Sequence, residues 1–202
     1  VFLKEQNQAS ITVLCVGDQT VEPILRKALA IGADNAIRIN YTPEDSYSTA
    51  KEIANHVKSS EYDLIIAGKE SSDYNSGAVP GMLADMLNIP FVNACNGLTI
   101  NNDTIQLSRE IDGGIENLES KMPLIIGGQK GLVEESELKI PNMRGIMTAR
   151  TKPLEVIEAS EKTTLIESIE FEKPPVKGNC KMIDENNITD LVNELHNVAK
   201  VI

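Results

Sequence analysis

Short apolar runs alternate with amphipathic segments along the first half of the chain. Apolar and largely β-branched residues fill positions 10–16, 36–39, 62–67 and 91–94, a pattern that predicts buried strands. Between these runs, apolar side chains recur at helical spacing over three segments: 21–31, 47–57 and 77–87. This strand–helix order predicts an α/β fold with a doubly wound, mostly parallel sheet.

The pattern changes after Asn96, where polar turns separate short strands. Residues 98–108 predict one β-hairpin, and a turn at Asp112–Gly114 predicts a second hairpin that returns through 115–121. One more buried strand is expected over 123–126. The glycine-rich stretch that follows is expected to be an exposed loop, and a short helix is expected after it: 127–131 and 142–149 respectively.

The last quarter of the chain lacks this regularity. Residues 151–181 contain three prolines and many charges without periodicity, which predicts an extended arm. Ile188–Ile202 has one apolar face and predicts an amphipathic helix at the end of that arm. We therefore divide the chain into an α/β domain over 1–150 and an arm over 151–202. The apolar face of the helix must be covered, either by its own domain or by another chain.

Composition narrows the possible functions. A net charge of −11, an aromatic content of 3% and the absence of Trp argue against a nucleic-acid binder. No apolar run has the length of a membrane span or a signal peptide, so we expect no membrane insertion. Cys15, Cys95 and Cys180 are far apart and favour a reducing cytoplasm. Two histidines, His56 and His196, are too few for a histidine-rich metal site.

The best candidate for a binding site is the loop between the third strand and the third helix, Gly68–Gly77. In an open α/β sheet, ligands bind beyond the carboxyl ends of the strands, where loops lead into helix N-termini. Free N–H groups and the positive end of the helix dipole suit a phosphate there. Gly17, after the first strand, is expected to border the same crevice. A plain capped loop explains the segment as well, and no GxGxxG or Walker motif is present.

A second dense cluster surrounds the turn at Asp112–Gly114, with Arg109, Glu110 and Glu116 beside it. Paired carboxylates could perform acid–base chemistry, but a tight turn between two strands explains the glycines more simply. None of the three cysteines has a neighbouring base that would make it a nucleophile, so the residues themselves indicate no catalytic site.

Several segments occur in an order and spacing that resemble one known family, the β subunit of electron-transfer flavoprotein. They are Lys27–Asp34, Asp63–Lys69, Arg109–Glu116 with Pro123, and Gly145–Met147 with Lys152–Pro153. The resemblance runs from about Val13 to Val156, and the terminal helix also fits. In the family, a further strand and helix precede the position that corresponds to Val1.

The resemblance implies a fold of the adenine-nucleotide-binding type and a nucleotide in the crevice proposed above. That nucleotide would be a structural AMP or, in electron-bifurcating members, a second FAD. By position it would contact Val16, Gly17, Gly68, Ser71, Tyr74, Gly77, Ala78 and Val79. This chain departs from the family's usual crevice residues at Tyr74–Asn75 and at Ala78–Gly81.

The resemblance also implies partners. The β subunit pairs with an α subunit that carries the redox-active FAD, and the arm and last helix would embrace that subunit. The loop from about 128 to 141 would recognise acyl-CoA dehydrogenases and related flavin dehydrogenases through Leu132, Val133, Glu134 and Glu135. Electrons would leave to a membrane quinone reductase. The chain would thus be an electron-carrier subunit, as in fatty acid oxidation, and not an enzyme by itself.

Two alternatives remain open from the sequence. The first is a bifurcating β subunit whose own FAD accepts electrons from NADH. The second, from a different class, is a stand-alone adenine-nucleotide sensor of the universal-stress type, which would leave the arm and the hairpins unexplained.

Overall fold

A computed structural model describes residues 1–7, 9–160 and 163–202 of the chain. Its α-helices are α1 (Phe2–Asn7), α2 (Glu22–Ile31), α3 (Ser46–Val57), α4 (Val79–Leu87), α5 (Met143–Ala149) and α6 (Ile188–Asn193). Its strands are β1 (Thr12–Val16), β2 (Asn35–Asn40), β3 (Leu64–Gly68), β4 (Phe91–Asn101), β5 (Thr104–Ile111), β6 (Gly114–Lys121), β7 (Leu124–Gly128) and β8 (Leu154–Glu158). Short 3-10 turns lie at Gln19–Val21 and Glu135–Glu137, and a π-helical segment lies at Glu194–Ala199.

The strands form two sheets, and most of their pairings are parallel. One sheet has the order β1-β2-β8 and is wholly parallel, with Val16 opposite Ile39 and Ile39 opposite Ile157. The other has the order β3-β7-β4-β5-β6, in which β3, β7 and β4 are parallel. In the same sheet, β4 pairs with β5 and β5 pairs with β6 in antiparallel hairpins. The predicted α/β class and both predicted hairpins are thereby confirmed.

Three apolar clusters hold these elements together. The five-stranded sheet β3-β7-β4-β5-β6, called the hairpin sheet below, has one face that buries Val92, Cys95, Ile105, Leu107, Leu124 and Ile126. Its other face packs Ile125 against Ala54 of α3 and Leu83 and Ala84 of α4. Leu25 and Leu29 of α2 pack with Ala149 of α5 over the smaller sheet. The apolar stripes seen in the sequence are therefore the faces that meet in the core.

The compact unit extends beyond the expected boundary at residue 150. Its last strand, β8, pairs with β2, and the unit ends at Glu167. The chain after β8 is tied to α3, because the carboxylate of Glu52 accepts hydrogen bonds from the N and Oγ of Ser160 at 3.0 and 2.9 Å. Residues 151–167 therefore belong to the first unit, and the expectation of an arm starting at 151 is corrected.

A second, smaller unit comprises Ser168–Ile202. The helix predicted over 188–202 forms as α6 followed by the π-helical segment, and Asn187 caps its start. Most of its apolar side chains are exposed, with Ile188 and Val198 each at 69%, whereas Leu195 is half-buried. Among the residues that the structure describes, no helix is both long enough and apolar enough to cross a membrane.

Candidate functional site

Three loops lie together at the carboxyl ends of β1, β2 and β3. Gly17 directly follows β1, and its N–H donates to the carbonyl of Ile39 in β2 at 3.0 Å. The loop after β2 leads into α3, where the Oγ of Ser46 lies 3.0 Å from the Oγ of Ser76 in the loop after β3. These two hydrogen bonds join neighbouring loops, so the predicted residues border one edge of the fold. In the described part of the chain, no hydrogen bond joins Gly17 directly to the loop after β3.

The loop after β3 is compact and exposed. The N–H of Lys69 donates to Gly128 at 2.9 Å, and that of Asn75 donates to Ser71 at 2.8 Å. Asn75 and Gly77 have φ angles of 51° and 59°, in the left-handed region. A Cβ on Gly77 would lie 3.7 Å from the carbonyl oxygen of Lys69, so the two ends of the loop nearly meet.

The start of α4 is suited to an anion. The helix begins at Val79, two residues later than predicted, and no side chain caps its N-terminus at Ala78. The first backbone N–H groups of a helix lack intrahelical partners and sit at the positive end of the dipole. The helix preceding it in the chain differs, because the carboxylate of Asp45 caps α3 through the N–H of Ser48. Of these two helix starts, only that of α4 is left without a side-chain acceptor.

Hydrogen bonds also stabilise the ionised form of Asp45. Burial alone would raise the pKa of this carboxyl, but the N–H groups of Ser48, Leu165 and Ile166 outweigh burial and hold the pKa below its ordinary value. The bonds to Leu165 and Ile166 measure 2.7 and 3.1 Å. Asp45 therefore serves as a helix cap and as an anchor for the end of the first unit.

The positions of the predicted side chains in the loop are mixed. Ser71 and Tyr74 are exposed, Tyr74 at 60%, and the side chain of Ser71 hydrogen-bonds to the carboxylate of Asp73. Gly77, Ala78 and Val79 are half-buried at the helix start. Asp73 accepts a hydrogen bond from the N–H of Tyr74 within the loop.

Gly17 has a structural explanation that needs no ligand. A Cβ at this position would lie 2.7 Å from Cγ1 of Val21, closer than real Cβ contacts come. Its N–H and its carbonyl are both engaged, by Ile39 and by Nη1 of Arg38. A ligand could therefore contact the backbone of Gly17 closely, because there is no side chain, but would find no free hydrogen-bonding group there.

Sequence reasoning missed Arg38, which is only 6% exposed. The signal was present, since a charged residue interrupts the apolar run of β2 and an arginine is seldom buried without partners. Its guanidinium lies beside Gly17, at the edge where the three loops meet.

An open cleft of about 540 Å³ lies elsewhere. It is lined by Lys69, Ala94 and Gln129 together with the tip of the β5–β6 hairpin, and it contains none of the predicted nucleotide-binding residues. At that tip, Arg109 pairs with Glu116 across the strands at 2.5 Å, and Gly113 has a φ of 92°. The tight-turn interpretation of this cluster is confirmed.

The predicted recognition loop divides into an inner and an outer part. Gly127 and Gly128 continue β7 instead of forming a loop, which corrects the expectation for 127–131. Leu132 is half-buried and packs against the core of the hairpin sheet. Val133, Glu134 and Glu135 are exposed, Val133 at 37%. Of the four predicted recognition residues, these three have exposed side chains, as a recognition surface requires.

Cys15 and Cys95 show no sign of activation. Cys95 is buried, and burial raises the pKa of its thiol. Burial likewise raises the pKa of the Cys15 thiol. A raised pKa reduces the thiolate fraction on which nucleophilic attack depends.

Comparisons with known proteins identify the family. A family model described as electron transfer flavoprotein domain matches residues 2–162. The chain is 33% identical to electron transfer flavoprotein subunit beta of Bacillus subtilis, with 100% of this chain and 83% of the relative aligned. It is 32% identical to the protein of the same name from Syntrophomonas wolfei and 30% identical to that of Mus musculus, each with 100% of this chain and 81% of the relative aligned. The chain therefore belongs to the electron transfer flavoprotein family, as a β subunit.

Proposed function

We propose that this chain is a structural and partner-recognising subunit of an electron carrier, with an adenine nucleotide held at the carboxyl ends of β1, β2 and β3. It pairs with an FAD-bearing α subunit, which accepts electrons from flavin dehydrogenases of the acyl-CoA type and passes them to a quinone reductase. The chain itself is not an enzyme in this proposal. Family membership supports it and replaces the stress-type alternative.

The start of α4 is the observation on which the nucleotide proposal rests. Its N–H groups have no side-chain cap, and Gly77 brings the backbone of the preceding loop close without a Cβ. A phosphate at this position would accept hydrogen bonds from the N–H groups of Ala78 and Val79. Ser71 and Tyr74 are exposed in the same loop, and their hydroxyls would complete the contacts.

The nucleotide is AMP in our first proposal and FAD in the alternative. The residues present fit a phosphate equally well in both, because the same helix start would hold it. A nucleotide at this site supplies a fixed anion that ties the loop after β3 to the helix dipole. A second FAD would additionally supply redox chemistry, and the subunit would then belong to a bifurcating complex that takes electrons from NADH.

The second unit supports the proposed pairing with an α subunit. Its apolar side chains are largely exposed, including Ile169 at 95%, Phe171 at 82% and Val176 at 98%. An exposed apolar set of this size is typical of a surface that another chain covers. The exposed part of the recognition loop, Val133 to Glu135, is the proposed contact for the dehydrogenases. We place the complex in the cytoplasm, a proposal supported by the free thiols of Cys15, Cys95 and Cys180.

The composition of the purified complex tests these proposals. The full chain is co-expressed with its flavoprotein partner, the complex is denatured, and the released nucleotides are separated and counted per heterodimer. One FAD and one AMP support the electron shuttle with a structural nucleotide here. Two FAD and no AMP support the bifurcating alternative. One FAD and no second nucleotide contradict any nucleotide site in this chain, and failure to co-purify contradicts the pairing.

A further inference from the structure

A buried cation lies beneath the turn that follows β1. Arg38 is 6% exposed, and its guanidinium donates three hydrogen bonds. Nε donates to Oε1 of Glu22 at 3.1 Å, while Nη1 donates to Oδ1 of Asn40 at 2.7 Å and to the carbonyl oxygen of Gly17 at 3.1 Å. Few cations are buried in proteins, and those that are need such partners.

These contacts tie together the ends of four elements. Glu22 lies in the first turn of α2, Asn40 ends β2, and Gly17 follows β1. The amide of Asn40 in turn donates to both carboxylate oxygens of Glu158 at the end of β8, at 3.1 and 3.0 Å. One guanidinium thus links the end of β1 to β2 and to the start of α2, and Asn40 extends this network to the end of β8.

Packing does not require an arginine at this position. The neighbours of Arg38 in β2, Ala36, Ile37 and Ile39, are all buried and apolar. Replacing a buried ion pair by apolar side chains of similar size is often neutral or stabilising. The features that an apolar residue could not reproduce are the hydrogen bonds, and one of these holds the backbone of Gly17.

We propose that Arg38 is a positioning residue for the nucleotide site at the ends of β1, β2 and β3. This inference rests on the proposed function. Gly17 is held from both sides, through its N–H by Ile39 and through its carbonyl by Arg38, so the turn presents its surface to the crevice in one arrangement. Preorganising a binding surface lowers the ordering cost of association.

Arg38 acts through geometry and not through its charge. Its side chain is buried, so it does not touch a ligand, and the carboxylate of Glu22 lies beside it. The effect is therefore independent of the ligand's phosphate. Loss of Arg38 weakens the binding of AMP and the binding of adenosine by the same factor.

The test compares two arginines that clamp backbone carbonyls. Arg26 donates through Nη1 to the carbonyl oxygens of Ala149 at 2.7 Å and Lys152 at 2.8 Å, and no hydrogen bond links it to the three loops in the described chain. Arg38→Met, Arg38→Lys and Arg26→Met are prepared in the full chain, co-purified with the flavoprotein partner and stripped of nucleotide. Equilibrium dialysis measures the binding of AMP and, separately, adenosine, and thermal unfolding monitors the stability of each variant.

We expect Arg38→Met to weaken both ligands about tenfold, the scale of one lost ordering interaction. Arg26→Met should bind both like the wild type even if its Tm falls as far. Arg38→Lys keeps the charge but loses the planar guanidinium, so it should also weaken both ligands, and it provides the test if the methionine variant does not fold.

Three results would overturn the inference. If the wild type binds AMP and adenosine and both Arg38 variants bind them equally well, Arg38 has no positioning role. The proposed function is not affected by that result. If Arg38→Met binds AMP more weakly but adenosine as the wild type does, the residue has an electrostatic role instead. A wild type that binds neither AMP nor adenosine contradicts AMP as the nucleotide of this chain, and with it the ligand on which the inference rests.

Discussion

The packing of α5 on α2 depends on a single missing methyl group. A Cβ on Gly145 would lie 2.4 Å from the backbone carbonyl oxygen of Ala30 in α2. Real Cβ atoms essentially never approach closer than 3.0 Å. Gly145→Ala therefore forces the two helices apart by at least the difference between these distances, because the contacted atom is backbone and cannot rotate away.

Gly81 provides a matched control. It is the third residue of α4, as Gly145 is the third residue of α5, so both substitutions remove a glycine from the same helical position. A Cβ on Gly81 would lie 3.6 Å from the ring of Phe91, an ordinary contact. The two variants therefore share the gain in helix propensity and differ in the clash.

The expected free energies follow from these contacts. Overpacking costs about 1–3 kcal/mol, and replacing a helical glycine by alanine returns roughly 0.5–1 kcal/mol. Gly145→Ala should lower the free energy of unfolding by about 1.3 kcal/mol, the difference between the midpoints of these two ranges. Gly81→Ala should raise it by about 0.5–1 kcal/mol.

Urea denaturation of the full chain measures both changes through the midpoint at an unchanged m-value. A Gly145→Ala variant as stable as the wild type, alongside a stabilised Gly81→Ala variant, would refute the proposed role of Gly145. Equal destabilisation of both variants would show that the loss arises from the helix start and not from the contact with α2.

Three further predictions concern the loops. Leu132→Ala should destabilise the fold by about 1–3 kcal/mol, since its side chain packs against the core. Val133→Ala should leave the denaturation midpoint unchanged and, if the loop recognises dehydrogenases, weaken the binding of the dehydrogenase. Asp45→Asn should be less stable than the wild type at neutral pH, and the difference should disappear as the pH falls below about 4, because the lowered pKa of Asp45 means that its contribution exists only while it is ionised. A difference in stability that stays constant with pH would contradict this, and Asp103→Asn in the β4–β5 turn is the control. Gly77→Ala should cost about 1 kcal/mol because φ is 59° and should reduce the nucleotide recovered with the complex; full recovery would count against the placement of the phosphate.

Local pattern was sufficient for most of the helices and strands. The turn Asp112–Gly114 could be found from sequence because a short hairpin needs left-handed residues, and Gly113 supplies one at φ 92°. Apart from β8, the parallel strands were visible as apolar runs since both of their faces are covered. The loop before α4 was predictable for a similar reason, as glycines and small polar residues separate the third apolar run from the next amphipathic segment. The missing side-chain cap at the start of α4 was not predictable, since a capped loop explained the segment as well.

The strand β8 could not be found in this way. Leu154–Glu158 contains two glutamates among three apolar residues, within a stretch rich in proline and charge. It is a strand because β2 offers it an edge, and that pairing joins residues more than a hundred positions apart. Strand preference depends on such partners more than on the residues themselves.

The sequence by itself determined which segments are apolar, where the chain turns and which loop leads into a helix start, because each of these depends on neighbours within a few residues. Only the tertiary structure decided that Gly145 accommodates Ala30 and that Gly127 and Gly128 lie in a strand. It also decided that Arg38 holds the backbone of Gly17. The physical reason is common to all of these cases, since contacts and hydrogen bonds between distant segments form only when the chain has folded.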